Sequence, residues 1–324
     1  MRWGLRVATD RRSGEGHIAR CRALAAELGD SFILFCDPSG GTRARFDWAP
    51  EIVAEPAAES LAAATAALRN GEIGGLIVDS YSVGDKALAE AAACGVVAAF
   101  RDGERGGSET ISIDPNPGAS GGATVLAGPG YMPLPRQYAQ RNAEARSRDS
   151  ARLPSSILVA FGMHDSANLT MMALDGLSEL LSRVTISVAV GPDAPHAAAV
   201  ARRIAELPSA RLLAANSVMD EVYPDFDLAI GAPGVSQFER ACCGLPSILV
   251  AQNKRQQHLA RAWVGTGAAV SSESRPAAIS EALAAFFERP QTLRETRAHG
   301  LAVVDGRGAQ RVAAALNDRV RARR

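Results

Sequence analysis

The sequence predicts a fold of two Rossmann-like, doubly wound α/β domains that face a central cleft, and three observations lead to it. Short apolar runs alternate with alanine-rich helical patterns, which indicates βαβ units and parallel sheets. The alternation occurs in both halves of the chain, and two loop-like stretches, 128–135 (rich in Gly and Pro) and 141–152 (polar and charged), separate the halves. We therefore predict domains at residues 1–145 and 150–324. Ligands of such sheets bind beyond the carboxyl ends of the strands, so we expect the ligand between the domains.

The apolar runs give the order of the predicted strands. They are 5–8, 31–36, 75–78 and 96–100 in the first half, and 156–161, 184–190, 211–214, 228–230, 247–250 and 268–270 in the second. Helical patterns between them cover 18–28, 60–69, 85–93 and 194–206. Strands that alternate with helices of this length predict one parallel sheet with helices on both faces in each half.

The charge balance and the cysteines disfavour several classes of protein. Lys and Arg total 35 against 35 Asp and Glu, so the net charge is zero and nucleic-acid binding is disfavoured. The five cysteines lack C-x-x-C spacing, which favours free thiols in a reducing cytoplasm. The start of the chain lacks the apolar core of a signal peptide, and no apolar run reaches the roughly 18 residues of a membrane span. We expect a cytoplasmic protein without a membrane span.

A glycine-rich loop follows the first predicted strand and leads into the first helix. Gly14 and Gly16 allow the backbone to turn tightly beside a ligand. A dinucleotide fingerprint needs a third glycine that is missing here, so dinucleotide binding is disfavoured. His17 follows at the start of the helix, whose dipole favours the neutral imidazole. We predict that His17 is a neutral base at the cleft; the alternative is a histidine that only caps the helix.

The predicted strand at 75–78 runs into Asp79-Ser80-Tyr81, at the edge of the sheet where ligands bind. A Tyr81 hydroxyl at this edge can orient a sugar hydroxyl or a water molecule. The alternative is turn chemistry, in which Asp79 and Ser80 bond the local backbone.

In the second half, a polar loop follows the first strand at the same topological place as the His17 loop. It contains Gly162, Asp165 and Asn168, and His164 in this loop could also face the cleft. We predict that the loop contributes to nucleotide binding. The alternative for Asp165 is that it caps the following helix.

A second glycine-rich turn follows the strand at 228–230. Gly234 and Ser236 could offer N–H and hydroxyl donors to a diphosphate at a helix start. Glu239, one helical turn further on, could accept both hydroxyls of a ribose. A tight βαβ connection would explain the glycines but not an inward carboxylate. The stretch 252–258 is unusually polar for a helix entry and either reaches the cleft or is a solvated run of charges.

Together these residues resemble a known enzyme family. The motifs, in order, are Gly-x-Gly-His-x-x-Arg (14–20), Val-Asp-x-Tyr (78–81), Gly-x-x-Tyr-x-x-Leu-x-Arg (128–136), Asp-x-x-Asn-Leu-Thr (165–170), Gly-Ala-x-Gly with Glu-Arg and Gly-Leu-Pro-Ser (231–247), and Val-Asp-Gly-x-Gly with Arg-Val (304–312). They are similar to the UDP-2,4-diacetamido-2,4,6-trideoxy-β-L-altropyranose hydrolases of pseudaminic acid biosynthesis, which are often encoded with flagellin-modification genes. The second half also resembles the UDP-binding half of the glycosyltransferase that makes lipid II, notably at Arg255-Gln256-Gln257.

The resemblance implies a GT-B fold and hydrolysis of a UDP-sugar to UDP and free sugar, without a metal ion or a cofactor. It implies that His17 is the catalytic base and that Tyr81 belongs to the same catalytic site. It places ribose binding at Glu239 and uracil binding near Val218 and Met219.

Two positions depart from the family pattern. Met163 stands where the family has a second glycine, and its side chain is expected to crowd a phosphate. The family's Asn-Gln pair corresponds to Arg255 and Gln256 in an ungapped reading, while a gapped reading uses Asn253. The alternatives are therefore a GT-B glycosyltransferase with a UDP-sugar donor, or a UDP-sugar-binding protein that has lost catalysis. In each case the partner is a UDP-sugar, and we expect a monomer.

Overall fold

The computed structural model divides the chain into two compact units, and each contains one parallel sheet. Unit 1 comprises residues 1–136 and 306–324, and unit 2 comprises residues 137–305. The structure describes residues 1–9, 15–29, 31–37, 46–103, 107–148, 153–178 and 182–323.

Unit 1 contains a seven-stranded sheet with strand order β3-β2-β1-β4-β5-β6-β7. The strands are β1 (Trp3–Val7), β2 (Phe32–Cys36), β3 (Ile52–Ala54), β4 (Gly75–Asp79), β5 (Val96–Phe100), β6 (Ile111–Asp114) and β7 (Val125–Ala127), and every pair is parallel. Its helices are α1 (Glu15–Leu28), α2 (Ala57–Arg69), α3 (Asp85–Cys94) and, from the end of the chain, α12 (Gly308–Arg323). A short 3₁₀ turn covers Pro129–Tyr131.

The core of unit 1 lies on both faces of its sheet, as expected when helices cover both sides. Leu5 and Ile77 pack in the cluster beneath α1 and α12, while Leu76 and Val78 pack in the cluster on the opposite face. Strands β1, β2, β4 and β5 are buried on both faces and are therefore largely apolar, apart from Arg6 in β1 and Asp79 at the end of β4.

Unit 2 contains a six-stranded sheet with strand order β10-β9-β8-β11-β12-β13, again entirely parallel. The strands are β8 (Ser156–Ala160), β9 (Thr185–Ala189), β10 (Ala210–Leu212), β11 (Leu228–Gly231), β12 (Ser247–Val250) and β13 (Val270–Ser272). The helices are α4 (Gln137–Arg146), α5 (Leu169–Gly176), α6 (Ala197–Ala205), α7 (Met219–Val222), α8 (Val235–Cys242), α9 (Lys254–Gly265), α10 (Pro276–Glu288) and α11 (Pro290–Val303), with a 3₁₀ turn at Tyr223–Asp225.

Two doubly wound parallel units confirm the predicted fold class, but the units end at different residues from the predicted domains 1–145 and 150–324. Helix α4, in the stretch predicted as domain end and linker, belongs to unit 2, and helix α12 belongs to unit 1. The prediction that residues 141–152 form a loop between the halves rested on their polarity and charge. Asn142 is nevertheless buried, because its amide donates to the carbonyls of Cys242, Leu301 and Val304.

Helix α12 returns to the first unit because its apolar stripe fits the core there. Val312 and Leu316 are fully buried in the cluster that also holds Leu5 and Leu24. Within the described ranges, no helix is both long and apolar enough to cross a membrane.

Candidate functional site

The carboxyl edge of the first sheet brings His17 and Asp79 together. Asp79 is the last residue of β4 and pairs in register with Val7, the last residue of β1. His17 is the third residue of α1, the helix that follows β1, so the two side chains meet at the same edge. The imidazole Nδ1 contacts Asp79 Oδ1, and both side chains are almost completely buried.

The contact with Asp79 determines which imidazole nitrogen can take up a proton. An ionised carboxylate only accepts hydrogen bonds, so Nδ1 carries the hydrogen and donates it to Asp79. The lone pair of the neutral ring then lies on Nε2. His17 therefore has the arrangement of a general base whose tautomer is fixed by a carboxylate.

Arg20 lies one helical turn after His17 and bridges two carboxylates. Its Nε and Nη2 donate to Asp79 over 2.6 Å each, and its Nη1 and Nη2 donate to Asp102 over 2.7 Å each. The guanidinium also lies 4.2 Å from the ring centroid of Phe100. Bidentate pairs on both sides fix the guanidinium plane and, through it, the Asp79 carboxylate beside His17.

This network shifts the pKa values of its members in consistent directions. Burial alone raises the pKa of Asp79, but the Arg20 guanidinium, followed by His17, outweighs burial and holds that pKa well below its usual range. The pKa of Asp102 is lowered for the same reason, with Arg20 opposing burial. Burial lowers the pKa of Arg20, but the two carboxylates outweigh it and raise that pKa well above its usual value. Both carboxylates are thus ionised near neutral pH.

Tyr81 is the exposed member of this group. Its hydroxyl donates to Asp102 Oδ2 over 3.0 Å, and its ring meets the His17 ring edge to face with centroids 4.6 Å apart. The residue is 46 % exposed, whereas His17 is 3 % exposed. The structure thus brings His17 and Tyr81 together, as their positions after β1 and β4 predict, and a ligand can reach Tyr81 from solvent.

The sequence analysis missed Asp102 as a member of this site and gave Arg20, the last residue of the Gly-x-Gly-His-x-x-Arg motif, no role. Asp102 follows β5 and has a positive φ of 47°, and the amide of Gly103 beside it donates to Asp114. The spacing of three residues between His17 and Arg20 places both on one face of α1. Of the two predicted glycines, Gly16 is the second residue of α1, and Gly14 lies outside the described residues.

In unit 2, the turn between β11 and α8 presents backbone donors. Gly234 precedes the helix and Ser236 is its second residue. The amides of Val235 and Ser236 have no acceptor in the described part of the chain, as expected in the first turn of a helix. A Cβ atom at Gly231 would lie 2.3 Å from the carbonyl oxygen of Ala160, so only glycine fits there, while Gly234 has open space around it.

Glu239 lies one turn into α8 and is held by Tyr223. The hydroxyl of Tyr223 donates to its Oε2 over 2.9 Å. Burial raises the pKa of Glu239, and the bond from Tyr223 opposes that rise. Glu239 thus sits beside the glycine turn as predicted, but its partner Tyr223, from the 3₁₀ turn after α7, was not predicted.

The predicted nucleotide contacts in the loop after β8 differ in their structural surroundings. The buried Asp165 carboxylate accepts the amides of Leu169 and Thr170 over 2.9 Å each and thereby holds the start of α5, which favours its alternative interpretation as a cap. Gly162 and Asn168 have φ angles of 89° and 55°. The Oδ1 atom of Asn168 is buried without a hydrogen-bond partner.

The remaining predicted contacts lie at the starts of α7 and α9. Val218 precedes α7 and is exposed, and Met219 is the first residue of that helix. Asn253 Oδ1 accepts the amide of Gln256 over 3.0 Å and caps α9, while Gln256 Oε1 accepts the amide of Gln252 over 2.9 Å.

The two family departures are also visible in the structure. Arg255 is an exposed residue in the first turn of α9, whereas the oxygen of Asn253 is engaged in capping. The Met163 side chain is 50 % exposed. No cluster of three or more His, Cys, Asp or Glu side chains that could hold a metal ion occurs among the residues the structure covers.

Comparisons with known proteins give the fold class and distant relatives. No family model matches the sequence. The chain is 27 % identical over 205 residues to the spore coat polysaccharide biosynthesis protein SpsG of Bacillus subtilis, a match that covers 61 % of this chain and 59 % of that protein. The match therefore spans less than two thirds of this relative.

Two solved structures are similar over almost the whole chain. MurG of Acinetobacter baumannii is 14 % identical with a TM-score of 0.73, and the match covers 98 % of this chain and 100 % of MurG. The UDP-GlcNAc 2-epimerase of Neisseria meningitidis, solved with UDP-GlcNAc bound, is 10 % identical with a TM-score of 0.67 and the same coverages. These likenesses show the fold, which is of the GT-B class.

Proposed function

We propose that this protein is a metal-independent hydrolase of a UDP-linked 2,4-diacetamido-2,4,6-trideoxy sugar that releases UDP and the free sugar for nonulosonic (pseudaminic) acid biosynthesis. The observation that carries the proposal is the His17–Asp79 pair, which leaves Nε2 as the proton acceptor at a ligand-binding sheet edge. The similar proteins support the substrate class, since one was solved with UDP-GlcNAc bound and another takes part in polysaccharide biosynthesis.

In this proposal unit 2 binds the nucleotide. The free amides at Val235 and Ser236 bind the diphosphate, and Glu239 accepts the ribose hydroxyls. Gly162, Asn168 and the residues at the starts of α7 and α9 complete the contacts to UDP. Unit 1 acts on the sugar through His17 and Tyr81.

The reaction consumes one water molecule. Its oxygen attacks the anomeric carbon while His17 Nε2 takes one of its protons, a form of catalysis that contributes about 10²–10⁴-fold. The bond between the anomeric carbon and the β-phosphate oxygen breaks, and UDP leaves with the electron pair. Asp79 stabilises the imidazolium that forms, and the proton returns to solvent. Tyr81 orients the water or a sugar hydroxyl.

A GT-B glycosyltransferase is the second candidate, because an acceptor hydroxyl could replace the water at the same base. Likeness to MurG and to a spinosyn forosaminyltransferase favours this alternative. The third candidate, a binding protein without catalysis, is favoured by Met163 and by the exposed Arg255. The cytoplasmic location and the monomeric state stay predictions.

The test is to incubate the protein with the UDP-linked diacetamido sugar in ¹⁸O-labelled water, without an acceptor, and to analyse UDP by mass spectrometry. We expect UDP release with no label in UDP, because water attacks carbon rather than phosphorus. UDP release that needs an acceptor identifies a transferase. UDP binding without turnover under either condition identifies the inactive binder.

A matched pair of histidine variants tests the role of the base. His17→Asn retains an amide donor toward Asp79 but removes Nε2, so we expect UDP affinity to persist while turnover disappears. His196→Asn, before α6 in unit 2, is the control and is expected to leave turnover unchanged. Full activity of the His17 variant contradicts the assignment of the base.

A further inference from the structure

The centre of unit 2 contains a buried cation without a carboxylate partner. Arg240, in the second half of α8, has 0 % exposure. Its Nη2 donates to the carbonyl of Ala232 over 2.8 Å and to Gln237 Oε1 over 3.0 Å, and its Nε donates to Ser247 over 3.0 Å. All of these partners are neutral, and Arg240 forms no ion pair with any residue that the structure describes.

One donor of Arg240 is left over. Its Nη1 is buried and has no hydrogen-bond partner within the described ranges. It packs under the turn that precedes α8, because a Cβ atom added at Gly231 would lie only 2.9 Å from it. The absence of a side chain at Gly231 is therefore what lets the guanidinium approach the turn.

The charge of Arg240 is costly where it lies. Buried charges in proteins are normally paired, because desolvation of an ion is expensive. Burial lowers the pKa of Arg240, opposed by the nearby Tyr223 and Glu239, but an arginine side chain stays protonated at neutral pH. Glu239, the neighbouring carboxylate, is engaged by Tyr223 instead.

The turn next to Arg240 presents backbone donors. The Ala232 carbonyl is occupied by Nη2, so it is not available as an acceptor for a ligand. The amides of Val235 and Ser236, at the helix start, have no acceptor among the residues that the structure describes. A buried cation, a helix N-terminus and free amides all favour the same ligand, which is an anion.

We propose that Arg240 is a positioning residue for the diphosphate of a nucleoside diphosphate: it orients the turn through Ala232 and provides the positive charge beneath it. This inference rests on the proposed nucleotide site of unit 2 and adds the source of its preference for phosphate. Arg240 does not touch the diphosphate; it acts through the turn at 231–234 and through its charge. The site is thus selective for UDP over uridine.

The test compares the affinities for UDP and for uridine, measured by isothermal titration calorimetry, in wild type and two variants. At an intermediate dielectric, removal of a nearby unit charge changes the binding of an anion by roughly ten-fold or more. We expect Arg240→Met to lower the preference for UDP over uridine by about that factor. Arg240→Lys keeps the charge without the fork of donors, and we expect it to restore most of the preference.

The exposed Arg183, which lies over Phe287 in the same unit, provides the charge-matched control. Arg183→Met is expected to leave the ratio unchanged. If Arg240→Met weakens UDP and uridine equally, or leaves the ratio intact, the inference is overturned while the proposed function stands. If the wild-type protein binds no UDP, the proposed function fails together with the inference. Binding of UDP without turnover contradicts only the hydrolase.

Thermal melting of both variants shows whether they fold. Should Arg240→Met not fold, a crystal structure of the wild type with UDP decides the question. A diphosphate on the amides of Val235 and Ser236 supports the role of Arg240, and a diphosphate bound at any other loop overturns it.

Discussion

The carboxyl edges of the two sheets use opposite electrostatics. In unit 1, Arg20 pairs with both Asp79 and Asp102, so each charged side chain beside His17 already has a partner of opposite charge without any ligand. In unit 2, Arg240 has no carboxylate partner among the described residues, and within the same residues the amides of Val235 and Ser236 have no acceptor. The difference fits the two proposed roles, with proton transfer at the first edge and binding of an anionic diphosphate at the second.

The largest effect is expected from removal of the Asp79 carboxylate in unit 1. Asp79→Asn removes the acceptor that fixes the His17 tautomer, and loss of the equivalent carboxylate in a Ser-His-Asp triad lowers kcat by about 10⁴-fold. We expect a similar loss in kcat with unchanged UDP affinity. Steady-state kinetics and calorimetry measure the two quantities. The control is Asp85→Asn, which removes an exposed carboxylate of the same unit. A UDP affinity that falls with kcat would mean that the two edges do not have separate roles.

A smaller effect is expected in unit 2. Glu239→Gln weakens charge-assisted hydrogen bonds to ribose, which are worth about 1.5–3 kcal/mol, or about 10- to 100-fold in affinity. The variant is expected to lower the affinities for UDP and uridine alike, in contrast to Arg240→Met. Glu206→Gln, at the exposed end of α6, is the control. Unchanged uridine affinity argues against ribose binding at Glu239.

Tyr81→Phe sharpens the comparison within unit 1. The substitution removes one hydrogen bond to Asp102 at an exposed position, and such a bond contributes about 0.5–1.5 kcal/mol. We expect kcat to fall by roughly three- to ten-fold. If the variant has the kcat of the wild type, the Tyr81 hydroxyl has no role in the reaction.

A separate prediction, measured on the free energy of unfolding rather than on activity, concerns stability at acid pH. The pKa of Asp79 is held below its unfolded value of about 3.9, so its contribution to the free energy of unfolding is complete above that pH. The contribution is lost as pH falls from about 4 through the folded pKa. Denaturant unfolding at several pH values should show a shallower acid loss in Asp79→Asn than in Asp85→Asn. Equal slopes would contradict the ion-pair geometry around Arg20.

Local patterns predict the two sheets and part of each site. His17 and Tyr81 could be placed at one edge because both follow parallel strands that pair in the same sheet. The roles of Arg20 and Asp102 could not be predicted in this way, because each depends on a partner far away in sequence. Asp102 lies 82 residues after Arg20, and no local sequence pattern indicates that contact.

The terminal helix shows the same limit at the scale of domains. The spacing of the apolar residues in α12 does not indicate which of the two sheets the helix covers. Only the packing of Val312 and Leu316 on the first core assigns the helix to unit 1. Likewise, the prediction of a loop at 141–152 assumed that polar residues are exposed. Asn142 is instead buried, and its amide donates to three carbonyls.

The most direct test of the central claim measures UDP release from the UDP-linked diacetamido sugar in the absence of any acceptor. Wild type is compared with His17→Asn, after calorimetry has shown that both bind UDP with the same affinity. The account predicts that wild type releases UDP and free sugar in equal amounts and that the variant releases neither. The account is contradicted if the wild type releases no UDP, or if the variant still releases it.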